Sequence, residues 1–298
     1  VAESTVSTPV PAEFVDDSPV RPRAWRPEGA DRFVVTCSGA DDRAPVLLAH
    51  AVRQAGLVVA YCGYRLPADH RVVLGELNYA VDADEPPDVD DLTLCVACPE
   101  VERRRGGLWG LHYEIELTSA GRTIGRGSAR LRFLSPAVYR FARRSAQPST
   151  VDDAGQHGAE AGVPVPADRA GCARGQDVLL AETGLPDTWR LRVPPDRLRV
   201  FGSPADHVPG MVLVEAARQA VLARRHPVPF APQRFASTFV RYAEPGPAIL
   251  VRVLEDDAGA LRVLIIQRDD KLFQARIDGK ADRTIAVPRE PASGKEVR

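Results

Sequence analysis

The chain has 298 residues, 44% of them hydrophobic and 27% charged, with 39 basic against 40 acidic side chains. That length allows two domains of ordinary size, and a net charge of -1 gives no broad electrostatic reason to expect nucleic acid or an acidic membrane surface. No apolar run approaches the ~20 residues that span a bilayer, and Val1-Ala-Glu-Ser-Thr5 does not read as a signal peptide, so a cytoplasmic location is expected.

Residues 1–30 are polar and rich in proline and predict a mobile arm. The first strand-like run is 32–37. After the loop Gly39-Ala-Asp-Asp-Arg43 an apolar helix is expected from 45 to about 61. Runs of β-branched and aromatic residues then predict strands at 71–81, 92–97, 110–118 and 123–133, broken by turn residues such as Ser119-Ala-Gly121. In Leu111-His-Tyr-Glu-Ile-Glu-Leu117 the odd positions are apolar, so one face is buried and His112 falls on the wet one.

From 143 to 176 the composition shifts to Ser, Asp, Gly, Ala and Pro, which predicts a linker whose His157 and Cys172 carry no signal. The second half then repeats the order of the first. Strands are expected at 189–193 and 197–201, a helix at 210–224, strands at 235–242, 248–254, 261–267 and 271–277, and a flexible tail at 286–298. Five scattered cysteines fit reduced thiols. Cys95-Val-Ala-Cys98 has CxxC spacing but lies in a strand-like run, where residues three apart point to opposite faces, and no second pair stands at zinc spacing. No metal and no cofactor are expected.

The two helices carry one motif. Gly210-Met-Val-Leu-Val-Glu-Ala-Ala-Arg-Gln-Ala220 and Pro45-Val-Leu-Leu-Ala-His-Ala-Val-Arg-Gln-Ala55 end alike, with Arg53 and Arg218 165 residues apart (218 − 53). A domain-sized period reads as a duplication, and Tyr79 and Tyr242 are expected at matching places in the strand after each helix. A helix apolar nearly all round must be wrapped by other structure. Glu215 and Arg218 break that pattern on one face, at i and i+3. Burial of such ions asks for a partner, so they form either a structural ion pair or a seat for a polar ligand.

Asp206-His-Val-Pro-Gly-Met-Val-Leu-Val-Glu-Ala-Ala-Arg-Gln-Ala220 resembles the signature of the A-factor biosynthesis (AfsA-like) hotdog family, the γ-butyrolactone synthases of actinomycetes. The run from Pro45 to Leu57 is similar to that family's first repeat, and the resemblance extends from about Asp31 to Ile277. It implies an α+β tandem (double) hotdog, each half a long central helix wrapped by a curved antiparallel sheet, at 31–142 and 177–285. It also implies condensation of a β-ketoacyl thioester, on acyl carrier protein or CoA, with dihydroxyacetone phosphate or a similar small polar acceptor. The product leads to a γ-butyrolactone or butenolide type signalling or secondary metabolite. A monomer or homodimer is expected, because a tandem hotdog supplies its own pairing.

Such chemistry needs a base for the attacking hydroxyl, donors for the thioester oxyanion and a cationic seat for phosphate. Under the resemblance Glu215 is the candidate base, and Arg218 either orients it or binds phosphate through its fork. The backbone amides that open the helix at Gly210 are candidate oxyanion donors. Asp206 and His207 are candidate substrate contacts, with a helix cap and a bond to a neighbouring strand as their plainer roles. His50 and Arg53 are the first-half candidates. The chain departs from the family at His50, where a glutamate matching Glu215 is expected, and at Gly202-Ser203-Pro204, where the motif begins Asp-His-Pro. His50 and Ser203 therefore make one of two pseudo-equivalent sites a variant, or leave it inert.

Two further readings stand beside this one. Pro209-Gly210 followed by Glu215 resembles the β-hydroxyacyl carrier-protein dehydratases, but their upstream histidine would fall on Phe201, and His207 is too close to Pro209 to replace it. A hotdog protein that binds an acyl chain without turnover also fits. Arg103-Arg-Arg105 at a strand turn reads as solvated, or as a contact for acidic acyl carrier protein, and not as a DNA-reading element.

Overall fold

The computed structural model describes residues 7–11, 18–39, 47–82, 91–144, 162–200, 203–256 and 259–281. The first half runs β1 (Thr8–Pro9), β2 (Val20–Pro27), β3 (Arg32–Gly39), α1 (Leu47–Val58), β4 (Arg71–Val81), β5 (Leu92–Arg104), β6 (Gly107–Ser119) and β7 (Arg122–Leu134). A short helix, α2 (Pro136–Ala142), follows. The second half runs β8 (Leu180–Glu182), β9 (Thr188–Leu191), the pair β10 (Arg199–Val200) and β11 (Ser203–Pro204), α3 (Gly210–Arg225), β12 (Phe230–Phe239), β13 (Ile249–Glu255), β14 (Leu261–Gln267) and β15 (Asp270–Ala281).

Thirteen of these strands form one antiparallel sheet in the order β1-β2-β3-β5-β6-β7-β4-β12-β15-β14-β13-β9-β8. Outward from the β4–β12 seam, β4-β7-β6-β5-β3-β2 is mirrored by β12-β15-β14-β13-β9-β8, so each half has the same topology. This is the expected tandem hotdog. The seam is a short ladder from Arg234↔Ala80 to Thr238↔Glu76, closed by the stacked rings of Tyr79 and Phe235 at 5.2 Å.

The alternating strands bury one face against each helix. In β6 the residues Leu111, Tyr113, Ile115 and Leu117 are all buried, and each fully buried aliphatic side chain contributes about 1.5–3 kcal/mol. In α1 every residue except His50 and Arg53 is buried, as a helix enclosed by sheet requires. Its approach to the sheet needs Gly56, where a Cβ would overlap the Tyr113 hydroxyl. That hydroxyl donates to the Val52 carbonyl at 2.7 Å. Cys98 lies in the core and Cys95 on the opposite face of β5, as strand geometry predicts. His112 is part-buried beside Glu100 at 3.5 Å.

Several expectations change. Residues 20–27, expected in a mobile arm, form β2, whose buried Val20 and Pro22 face inward. Its prolines are tolerated near the sheet edge because few ladder donors are needed there. Part of the expected linker is built into the core, with Val165 and Ala170 buried. His157 and the 286–298 tail lie outside the described residues. Tyr242 does not match Tyr79: β12 ends at Phe239, and Phe235 faces Tyr79 across the seam. No helix among the described residues is long and apolar enough to cross a membrane.

Candidate functional site

Glu215 and Arg218 meet as the i, i+3 spacing predicts, and the contact is bidentate. Arg218 Nε donates to Glu215 Oε2 at 2.9 Å and Nη2 to Oε1 at 2.7 Å, while Gln219 Nε2 donates to Oε1 at 2.8 Å. Arg218 is 4% exposed and also donates to the Gly171 carbonyl at 3.2 Å. Burial opposes its charge, but the Glu215 carboxylate outweighs burial and holds the guanidinium pKa above its ordinary value. Gln219 joins the same segment, donating to the Asp177 carbonyl at 2.9 Å and accepting from the Leu179 amide at 2.8 Å. Cys172 lies beside the pair, its thiol pushed up to about 11 by burial and by Glu215. Across the seam Tyr79 feels both charges, and its own pKa is raised mainly by burial. Three donors therefore occupy Glu215, and Arg218 clamps α3 to the 171–179 segment.

Asp206 and His207 form a second group. Their side chains meet at 2.8 Å, Oδ1 to Nδ1, and His207 Nε2 has no hydrogen-bond partner among the described residues. The His207 ring packs on Tyr242 with centroids 4.7 Å apart. Tyr139 donates to both Asp206 carboxylate oxygens at 2.8 Å. Arg143 donates to the Asp206 carbonyl at 2.8 Å and forks onto Glu244 at 2.5 and 2.8 Å. Burial works against the Asp206 carboxylate, but the bonds from His207 and Tyr139 and the charge of Arg143 outweigh it, leaving its pKa below the usual aspartate value. Asp206 is not a helix cap. Pro209 occupies the cap position of α3 and makes no side-chain capping bond.

Gly210 opens α3 two residues beyond Val208, whose amide is tied to the Ala243 carbonyl at 2.8 Å. The Val212 amide turns back onto the Pro209 carbonyl at 2.9 Å. The amides of Gly210 and Met211 have no partner among the described residues and point out of the positive end of the helix. Thus the imidazole, its carboxylate and two free donors come from one short stretch of chain.

The first-half counterpart differs. His50 Nδ1 meets Ser18 Oγ at 3.1 Å, and Ser18 Oγ also accepts from the Val20 amide at 3.2 Å. Arg53 is half-buried and close enough to Tyr61 and Tyr113 to act on both hydroxyls. No bidentate pair like that of Glu215 and Arg218 joins His50 to Arg53, since imidazole cannot accept a two-pronged fork. Ser203 stands in β11. Arg103 and Arg104, at the β5–β6 turn, lie over Tyr64 and Trp109.

Sequence reasoning missed Tyr139, Arg143, Tyr242, Glu244 and Ser18 as parts of these groups. The only local sign was the Tyr139 and Arg143 spacing of i, i+4, which places both on one helix face.

The sheet order and the two wrapped helices define a tandem hotdog protein, with two polar side-chain groups at the second helix. The chain belongs to the AfsA family: the model for the A-factor biosynthesis hotdog domain matches residues 13–135 and 156–263. It is 36% identical over 285 residues to a 2-oxo-3-(phosphooxy)propyl 3-oxoalkanoate synthase of Streptomyces coelicolor, covering 85% of this chain and 89% of that protein. It is 31% identical over 310 residues to a synthase of the same name from Streptomyces griseus, covering 93% and 98%. Among solved structures it is similar to a 12:0-ACP thioesterase from Umbellularia californica, with TM-score 0.51 and 14% identity over 86% of this chain and 100% of that one, a likeness of fold.

Proposed function

We propose that this chain is an acyltransferase that joins a β-ketoacyl thioester to the free hydroxyl of dihydroxyacetone phosphate. Its relatives are named as synthases of that ester, and membership of their family supports the same reaction here. The observation that carries the site assignment is the Asp206–His207 pair, three residues before α3 begins at Gly210, where the first amides lack intrahelical partners.

In this reading His207 Nε2 takes the proton of the acceptor hydroxyl as its oxygen attacks the thioester carbonyl carbon. Asp206 holds Nδ1 protonated and steadies the imidazolium that forms. The Gly210 and Met211 amides receive the developing oxyanion. Collapse expels the thiolate, which recovers the proton from His207, and the new C–O bond remains as the ester. Glu215, already accepting from three donors, is a positioning residue that with Arg218 fixes the helix and the 171–179 segment.

The test follows thiol release and ester formation from a β-ketoacyl thioester and dihydroxyacetone phosphate. His207→Ala should lower kcat by about 10²–10⁴ with its circular dichroism spectrum unchanged. Full activity in that variant, with loss confined to a stably folded Glu215→Gln, would return the role of base to Glu215.

A further inference from the structure

Asp206 lies between β11 and α3, in a stretch that is neither strand nor helix, and its side chain is 52% exposed. An exposed pair holds its geometry only against side-chain entropy and screening by water. The other partners of Asp206 therefore decide how it faces His207.

Those partners come from the end of the first half. Helix α2 begins two residues after β7 ends at Leu134, and the Tyr139 amide donates back to the Ser135 carbonyl at 2.9 Å. One turn apart, Tyr139 and Arg143 face Asp206 together. The Tyr139 hydroxyl lies 2.8 Å from each carboxylate oxygen, and one of these, Oδ1, also meets His207 Nδ1 at 2.8 Å. Burial and the Asp206 carboxylate raise the Tyr139 pKa above the ordinary tyrosine value, so the hydroxyl stays a donor. Arg143 fixes the backbone of the same aspartate, donating to its carbonyl at 2.8 Å, and forks onto Glu244. Glu244 is pinned in turn by buried Gln267 of β14, which accepts from its amide at 3.0 Å and donates to its carbonyl at 2.8 Å. Tyr242 packs edge-on to His207 at 4.7 Å and to Tyr139 at 6.2 Å, with Arg143 4.8 Å from its ring. Arg71 of β4 approaches the Tyr139 ring at 5.6 Å.

A hydroxyl shared between two carboxylate oxygens resists rotation of the carboxylate and takes up part of its charge. Both effects reach the imidazole, since Oδ1 keeps one direction towards Nδ1 and less charge remains to hold a proton on the ring. On the footing that His207 is the base, we propose that Tyr139 is a positioning residue for the reaction: its hydroxyl, brought from the first half of the chain, locks Asp206 and thereby sets the direction and basicity of the His207 imidazole. Neither half alone then carries a working Asp–His pair.

Tyr139→Phe removes the hydroxyl and keeps the ring that packs on Tyr242. With a β-ketoacyl thioester and dihydroxyacetone phosphate as substrates, it should lower kcat about tenfold and leave both KM values within about twofold of wild type. Added to Asp206→Ala it should cost nothing further, because Tyr139 acts through that carboxylate. The acid limb of the Tyr139→Phe kcat/KM profile should move to higher pH, since Arg143 still holds Asp206 and the carboxylate now pulls harder on the imidazolium. An NMR titration of the full chain, with the His207 signal identified by its loss in His207→Ala, should show the same displacement. Losses that multiply in the double variant, or a His207 titration that ignores the hydroxyl, would overturn the role and leave Tyr139 as packing for α2. A displaced His207 titration together with full activity in His207→Ala would reject His207 as the base, and with it the catalytic consequence of a contact that is real.

Discussion

At the scale of single residues, the two acids flanking Pro209-Gly210 differ through their partners. Asp206 orients an imidazole that keeps one nitrogen open, whereas Glu215 accepts a bidentate fork and an amide. Removing Glu215 leaves Arg218 at 4% exposure without its counter-ion. Glu215→Ala should therefore cost about 3–5 kcal/mol of stability, and Glu215→Leu/Arg218→Met should recover most of it, because a packed apolar pair avoids the desolvation of both ions. Calorimetric unfolding of the three chains checks this, and a single variant within about 1 kcal/mol of wild type would show that the clamp carries no stability. The pairing itself was legible, since i, i+3 spacing places both side chains on one helix face. That Gly171 completes it was not, because Gly171 falls in a stretch that reads as linker by composition.

At the scale of elements, each central helix is held by small residues where it meets the sheet. Gly56 admits the Tyr113 hydroxyl, and that ring is fully buried among strands that cannot retreat. Gly56→Ala should destabilise the fold by about 1–3 kcal/mol through overpacking, against the gain that Ala brings to an exposed helix. Urea unfolding gives the sign directly, and a more stable Gly56→Ala chain would mean that the helix can shift. The helices and most strands were readable from periodicity. The exceptions have physical causes: β2 contains two prolines, Pro22 and Pro27, that mask its strand character, and β12 begins five residues before the expected run at Phe235 because its opening Phe-Ala-Pro-Gln-Arg holds a proline and no β-branched residue.

At the scale of the whole molecule, β4 and β12 protect each other's edges. Separation of the halves would expose two unpaired ladders and split the Tyr79–Phe235 stack. Each half expressed alone should aggregate or pair with a second copy of itself, as open strand edges do, and light scattering after size exclusion would detect it. A stable monomeric half would show that the seam is dispensable for folding. The seam also matters to the candidate site, since Tyr139 and Arg143 follow the first half in sequence while Asp206 and Glu244 belong to the second.

The duplication, the enclosed helices, the family and the Glu215–Arg218 pair were all written in local patterns, because a side chain's periodicity records which face its own element must bury. Contacts such as Tyr139 to Asp206 or Arg143 to Glu244 leave no such record. They exist only because a sheet of fixed order brings distant stretches of chain to one place, whereas the donors on Glu215 come from its own helix, three and four residues on.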